Sequence, residues 1–184
     1  DSNNPMKIMT EKLLLEKIDN IAKVTINNPS ANTWDLESLA GLEEIIEHLN
    51  QDNEIFSLVI TGKGEKFFSA GADLQVFQEG GKDAAKEMSN AFSRAFNSLS
   101  NFRGVSIAAI NGFAMGGGLE CALACDIRVA EEKAVLALPE PKVGLLPCGG
   151  GTQVLPRLVG EGWAKRIILT CLLYTSPSPR DLST

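Results

Sequence analysis

Apolar residues recur along the chain in two rhythms, and the switches between them mark the elements. From Leu13 to Asn28, an apolar LLL and the run KVTINN flank the turn pair Asp19 and Asn20, which predicts a β-hairpin. Asp35 then stands where a helix N-cap is needed, ahead of Leu36, Leu39, Leu42, Ile45, Ile46 and Leu49, which fall on one helical stripe. His48 lies off that stripe and reads as a solvated helix residue. Phe56 to Thr61, stopped by Gly62, predicts a short buried strand, and Met88, Phe92, Ala95, Phe96 and Leu99 predict a second amphipathic helix. Val105 to Ile110 returns as a strand. A glycine cluster, Gly116 to Gly118, then opens a helix through CALAC, followed by a strand DIRVA, a loop LPEPKVGLLPCGGG and an amphipathic helix GEGWAKRIILT. Such alternation with short connections predicts an α/β domain with a largely parallel sheet, because parallel strands need helical crossovers.

Composition narrows the function. The 184 residues suffice for one domain, and 44% apolar with 22% charged residues is ordinary globular usage. No apolar run reaches the roughly 18 residues that span a bilayer, so a soluble protein with no membrane partner is expected. A net charge of −6, from 17 basic and 23 acidic residues, offers no footprint for nucleic acid. Four cysteines without a CxxC pair, beside a single histidine, lead to the expectation of no metal site. Cys121 and Cys125, at i,i+4 spacing, read as reduced packing residues, and Cys148 as a packed loop cysteine. The opening DSNNPMKIMTEK has neither secretory nor transit-peptide character, so a reducing, cytoplasmic location is expected.

Two glycine-bearing segments hold the candidate chemistry, FFSAGADL (67–74) and NGFAMGGGLE (111–120). Each follows an extended run and precedes helical sequence, where unpaired main-chain N–H groups can face an anion or a developing oxyanion; equally, the glycines could only permit tight turns. Neither is a dinucleotide or P-loop fingerprint, and SAGAD around Ser69 is not GxSxG. Glu120 opens a helix after GGGL, and Glu140 lies between two prolines in an apolar setting. Two such carboxyls, if desolvated and close, would couple so that one holds a proton while the other is ionised. Their alternative roles are a helix cap and loop surface.

FFSAGADL, NGFAMGGGLECALACDIRVA and LPEPKVGLLPCGGGTQVLPRLVG together closely resemble the crotonase, or enoyl-CoA hydratase/isomerase, family, and INNPSANTW looks like its first strand and turn. The resemblance covers roughly residues 9 to 170. It implies a spiral of repeating β-β-α units acting on acyl-CoA thioesters. It also implies an oxyanion hole from the backbone N–H groups of Ala72 and Gly117, with Ala70, Ala72, Asp73, Leu74 and Gly117 binding substrate. The glutamate after GGGx and the one in the xPE loop correspond to Glu120 and Glu140. By resemblance, Glu120 deprotonates water for attack at C3 and Glu140 protonates C2, turning trans-2-enoyl-CoA into 3-hydroxyacyl-CoA by hydro-lyase chemistry. No cofactor is implied, since coenzyme A enters as part of the substrate. An enoyl-CoA isomerase, or a non-catalytic assembly or binding protein of the same fold, is the alternative.

Family members continue past the helix ending near Thr170 into C-terminal helices, whereas here YTSPSPRDLST follows. The expectation is therefore a crotonase-like core at 9–170 lacking the usual C-terminal helical region, extra residues at 1–8, and a foreign or disordered tail at 171–184. With the full C-terminus, a homotrimer or dimer of trimers is implied.

Overall fold

The computed structural model describes residues 10–175, apart from the side chains of 75–79. Strands β1 (Leu13–Ile18) and β2 (Ile21–Ile26) form the hairpin, Leu13 facing Ile26 across it. Asp19 takes a positive φ of 51° at the turn, a conformation its short polar side chain tolerates. Helix α1 (Leu36–Gln51) begins at Asp35, whose carboxylate accepts the Ser38 N–H at 2.8 Å while the Ser38 hydroxyl accepts the Asp35 N–H at 2.9 Å. Leu39, Leu42, Ile45, Ile46 and Leu49 are buried as the stripe requires. Leu36, in the first turn, is an exception and stays exposed.

Beyond α1 the chain repeats one motif. Strand β3 (Ser57–Gly62), strand β4 (Phe67–Ser69) and helix α2 (Leu74–Ser100) make one pass. Strand β5 (Val105–Ile110), strand β6 (Phe113–Met115) and helix α3 (Gly117–Ala124) make the next, and strands β7 (Ile127–Ala130) and β8 (Val135–Ala137) begin a third. A 3-10 turn (Glu140–Val143), helices α4 (Gly151–Val159) and α5 (Glu161–Leu169), and a short strand β9 (Tyr174–Thr175) complete the described chain. Each pass lays its first strand in one sheet, of order β1-β2-β3-β5-β7, and its second in another, of order β4-β6-β8-β9. All pairings are parallel except β1 with β2 and β8 with β9. This is the expected α/β spiral of β-β-α units.

Period-two alternation turns Ala22, Val24, Ile26, Leu58, Ile60, Ala108 and Ile110 into the core, against the apolar stripes of α1 and α2. Two departures from the sequence reading stand out. Helix α4 carries Pro156 in its interior, which hides it from a periodicity argument because proline removes a helical donor. The chain also stays on the body past the expected boundary at 170. Cys171 is buried, Leu172 and Tyr174 pack against the core, and β9 pairs with β8. The rest of the expected tail, 176–184, and the expected extra residues 1–8 lie outside the described residues.

Candidate active site

Parallel pairing of β4, β6 and β8 brings their carboxyl ends to one side of the second sheet, where side chains from successive crossovers can converge. Ala72 follows β4, Gly117 follows β6, and Glu140 follows β8. Their segments are tied together: the Gly116 N–H donates to the Ala137 carbonyl at 2.9 Å, and a Cβ on Gly71 would stand 3.0 Å from the Gly117 nitrogen.

The two main-chain donors are left free by their neighbours' pairing. Trp34 bridges in parallel to Ala72, but its N–H donates to the Gly71 carbonyl (2.8 Å) and its carbonyl accepts the Asp73 N–H (3.0 Å). That pattern turns the Ala72 N–H the other way. Gly117 is the first residue of α3, where no preceding turn supplies a carbonyl. Neither N–H has an acceptor among the described residues. Gly118 lets α3 approach this closely, since a Cβ there would lie 2.1 Å from the Ser69 carbonyl oxygen.

Both glutamates are more confined than a cap or a surface loop would make them. Glu120 is 3% exposed, and its Oε1 accepts the N–H groups of Gly149 (2.9 Å) and Gly151 (2.8 Å) from the start of α4 rather than capping its own helix. Burial pushes its pKa up from 4.5 to about 7; the two N–H groups pull against that, and the charge of Glu140 adds to it. Glu140, in the 3-10 turn, is half-buried and raised by desolvation, and its Oε2 is buried without a hydrogen-bond partner among the described residues. Its Oε1 lies 3.0 Å from the place a Cβ on Gly116 would take.

These groups line one cavity of about 580 Å³ with Ala70, Ala72, Leu74, Gly117 and the apolar Ala85, Phe92, Val143, Leu145 and Leu146. Of the sequence-predicted site residues, Asp73 alone is not on the wall: its N–H is engaged with Trp34. Cys148 departs from the packed-loop expectation, being exposed on the cavity wall. Although the residue is exposed overall, desolvation there and the neighbouring Glu120 raise its thiol pKa, which keeps it protonated. Gly149 and Gly151 belong to the site without any signal in the sequence. Glycines that act through their N–H groups carry no side-chain signal, and only their contact with Glu120 reveals them. Among the described residues no group of three or more His, Cys, Asp or Glu could hold a metal ion, and no helix is long and apolar enough to cross a membrane.

The sequence matches the family described as enoyl-CoA hydratase/isomerase over residues 16–179. It is 40% identical over 159 residues to a short-chain-enoyl-CoA hydratase of Clostridium acetobutylicum, covering 86% of this chain and 61% of that one. To a crotonyl-CoA hydratase of Syntrophomonas wolfei it is 39% identical over 161 residues, covering 87% and 62%. Among solved structures, Pseudomonas aeruginosa DspI superposes with a TM-score of 0.89 at 63% identity, covering 91% of this chain and 68% of that one. The chain therefore spans less than two thirds of the length of either curated relative.

Proposed function

This chain belongs to the enoyl-CoA hydratase/isomerase family, and from that premise we propose that it adds water across the C2=C3 bond of a trans-2-enoyl-CoA to give the 3-hydroxyacyl-CoA. One observation carries the reading: two carboxyls of raised pKa face the same cavity as two unpaired main-chain N–H groups. In this scheme the thioester oxygen lies between the N–H groups of Ala72 and Gly117. Water held by the glutamates gives its hydroxyl to C3 and its proton to the ionised carboxylate. The π electrons move onto the thioester oxygen as an enolate, which the two donors stabilise, and the protonated carboxyl returns a proton to C2. Losing one such donor typically costs about a hundredfold to a thousandfold in rate.

The pair must hold one proton. Burial raises both carboxyls and ionised Glu140 raises Glu120 further, while the family resemblance makes Glu120 the base. We assign the proton to the pair: water between the two carboxyls exchanges it, and each turnover shifts it from one to the other. The rate then falls as pH rises through about 7, where the last proton leaves.

The test is direct hydration of short and long trans-2-enoyl-CoA, followed by loss of the conjugated absorbance and identification of the product. Formation of the 3-hydroxyacyl thioester is expected. Conversion of a 3-enoyl-CoA alone would make the chain an isomerase, and unaltered thioester with retained self-association would make it a binding protein.

A further inference from the structure

Ala72, Gly117 and Gly149 come from three separate segments, act through their N–H groups, and have no side chain large enough to key them to one another. Backbone bonds tie the segments, and side-chain packing beneath them adds a second constraint on their register. Beneath them lie three buried rings, Trp34, Phe96 and Phe92, each at most 3% exposed. Trp34 meets Phe96 edge-on, with centroids 5.7 Å apart and planes at 78°, and Phe96 meets Phe92 at 5.4 Å and 61°. Phe92 and Phe96 are one turn apart on α2, so they share a face of one rigid element.

Two of these rings press on different site glycines, and the third residue reaches the Ala72 segment through its main chain. The main chain of Trp34 brackets Ala72 by hydrogen bonds to Gly71 and Asp73. Phe96 presses on Gly149, its Cδ2 2.9 Å from the place a Cβ there would occupy, while the Gly149 N–H holds Glu120 Oε1 at 2.9 Å. Phe92 presses on Gly117, its Cε1 2.7 Å from the corresponding Cβ position. The indole N–H of Trp34 has no partner among the described residues, so packing alone seats that ring.

We propose that the Trp34–Phe96–Phe92 column is the positioning element of the site, setting the Ala72 and Gly117 donors and the Gly149 contact to Glu120 in one register. The proposal rests on the hydratase reading of those groups. Its physical basis is that edge-to-face rings in a close-packed core occupy one arrangement, whereas loops of small residues have many. A misplacement of about 1 Å at a reacting centre can cost on the order of a hundredfold in rate. The rings take no part in the bond changes of this scheme, although the Phe92 edge belongs to the cavity wall; Phe92 and Phe96 act through the glycines they press on, and Trp34 through its main-chain hydrogen bonds.

The test compares Phe96→Leu with Leu49→Ala, a cavity-forming change in the buried stripe of α1 that lines no part of the site. In Phe96→Leu, kcat should fall about tenfold to a hundredfold with KM within about twofold, while Leu49→Ala, at an equal or larger loss of thermal stability, keeps kcat within about twofold. A Gly149 N–H that is less well held favours the carboxylate less. Titration of the 13C-labelled Glu120 carboxyl, read by NMR beside its titratable neighbours Glu140 and Cys148, should therefore move to higher pH in Phe96→Leu and stay in place in Leu49→Ala. Should Phe96→Leu not fold, Phe96→Met, whose unbranched flexible side chain adapts to the space left by the ring, takes its place under the same expectations. Unchanged kcat and an unmoved Glu120 titration would overturn the positioning role, as would an equal loss in Leu49→Ala. Absence of hydration by the parent chain would overturn the hydratase reading instead, and the NMR titration would still decide the positioning role.

Discussion

At the scale of single residues, the site separates groups that do chemistry from groups that permit approach. Glu120→Gln and Glu140→Gln keep shape but cannot carry the shared proton, so each should suppress hydration by about a hundredfold or more while thioester binding persists. In the double variant the losses should be less than additive, because one proton serves both groups. Steady-state rates beside binding of a non-reactive acyl-CoA check this, and near-normal turnover of either single variant would remove that glutamate from the mechanism. The adjacent glycines should behave differently from one another. A Cβ at Gly118 meets the fixed main chain at Ser69, so Gly118→Ala should damage folding. At Gly117 a Cβ meets the edge of the Phe92 ring rather than fixed main chain, so Gly117→Val should disturb the seating of the donor and damage catalysis more than folding. Circular dichroism and turnover measured on both variants separate the two effects.

At the scale of elements, local chemistry read from the sequence was sufficient wherever a segment carried its own start signal and a long period. Asp35 and the α1 stripe are such a case, and the cap is more elaborate than the sequence implied: Lys12 reaches Asp35 at 2.5 Å and Glu37 at 2.7 Å, lowering both carboxyl pKa values. Asp35→Ala should destabilise the protein by about 1 kcal/mol or somewhat more, chiefly through the lost cap, with a smaller part from the partly buried ion pair to Lys12. Chemical denaturation measures it, and no loss would show that the box at Ser38 is dispensable. Elements without such signals were not legible. Strands β4, β6 and β8 have three residues each, too few for an alternation to emerge, yet their parallel pairing gathers the site. The glycine segments and both glutamates could be picked out by composition and resemblance, but their convergence depends on register between strands far apart in sequence. Asp73 illustrates the limit: it shares a motif with Ala72, but alternating orientation along the bridge to Trp34 turns its N–H to the neighbouring strand.

At the scale of the whole molecule, the carboxyl that is useful in the cavity weakens the fold that holds it. Glu120 has a folded pKa of about 7 against an ordinary 4.5, so its ionised form is disfavoured in the native state. Below the unfolded value the group is protonated in both states and folding is undisturbed. As pH rises from about 4.5, the unfolded chain ionises first, and stability falls until the native carboxyl also loses its proton near 7. The accumulated loss is on the order of 3 kcal/mol, a large share of the stability of an ordinary domain. Partly buried carboxylates such as Asp35 and Asp52, held low by Lys12 and Lys17, act in the opposite sense at lower pH, but they are common to parent and variant and cancel in a difference. Glu120→Gln removes the ionisation while its amide oxygen can still accept the N–H groups of Gly149 and Gly151. Relative to the parent, this variant should therefore be unchanged or slightly less stable at pH 4.5 and clearly more stable at pH 8. Thermal unfolding at the two pH values provides the comparison. A stability difference that does not change with pH would mean that Glu120 ionises as readily in the fold as in water, and the proton held between it and Glu140 would have to be sought elsewhere.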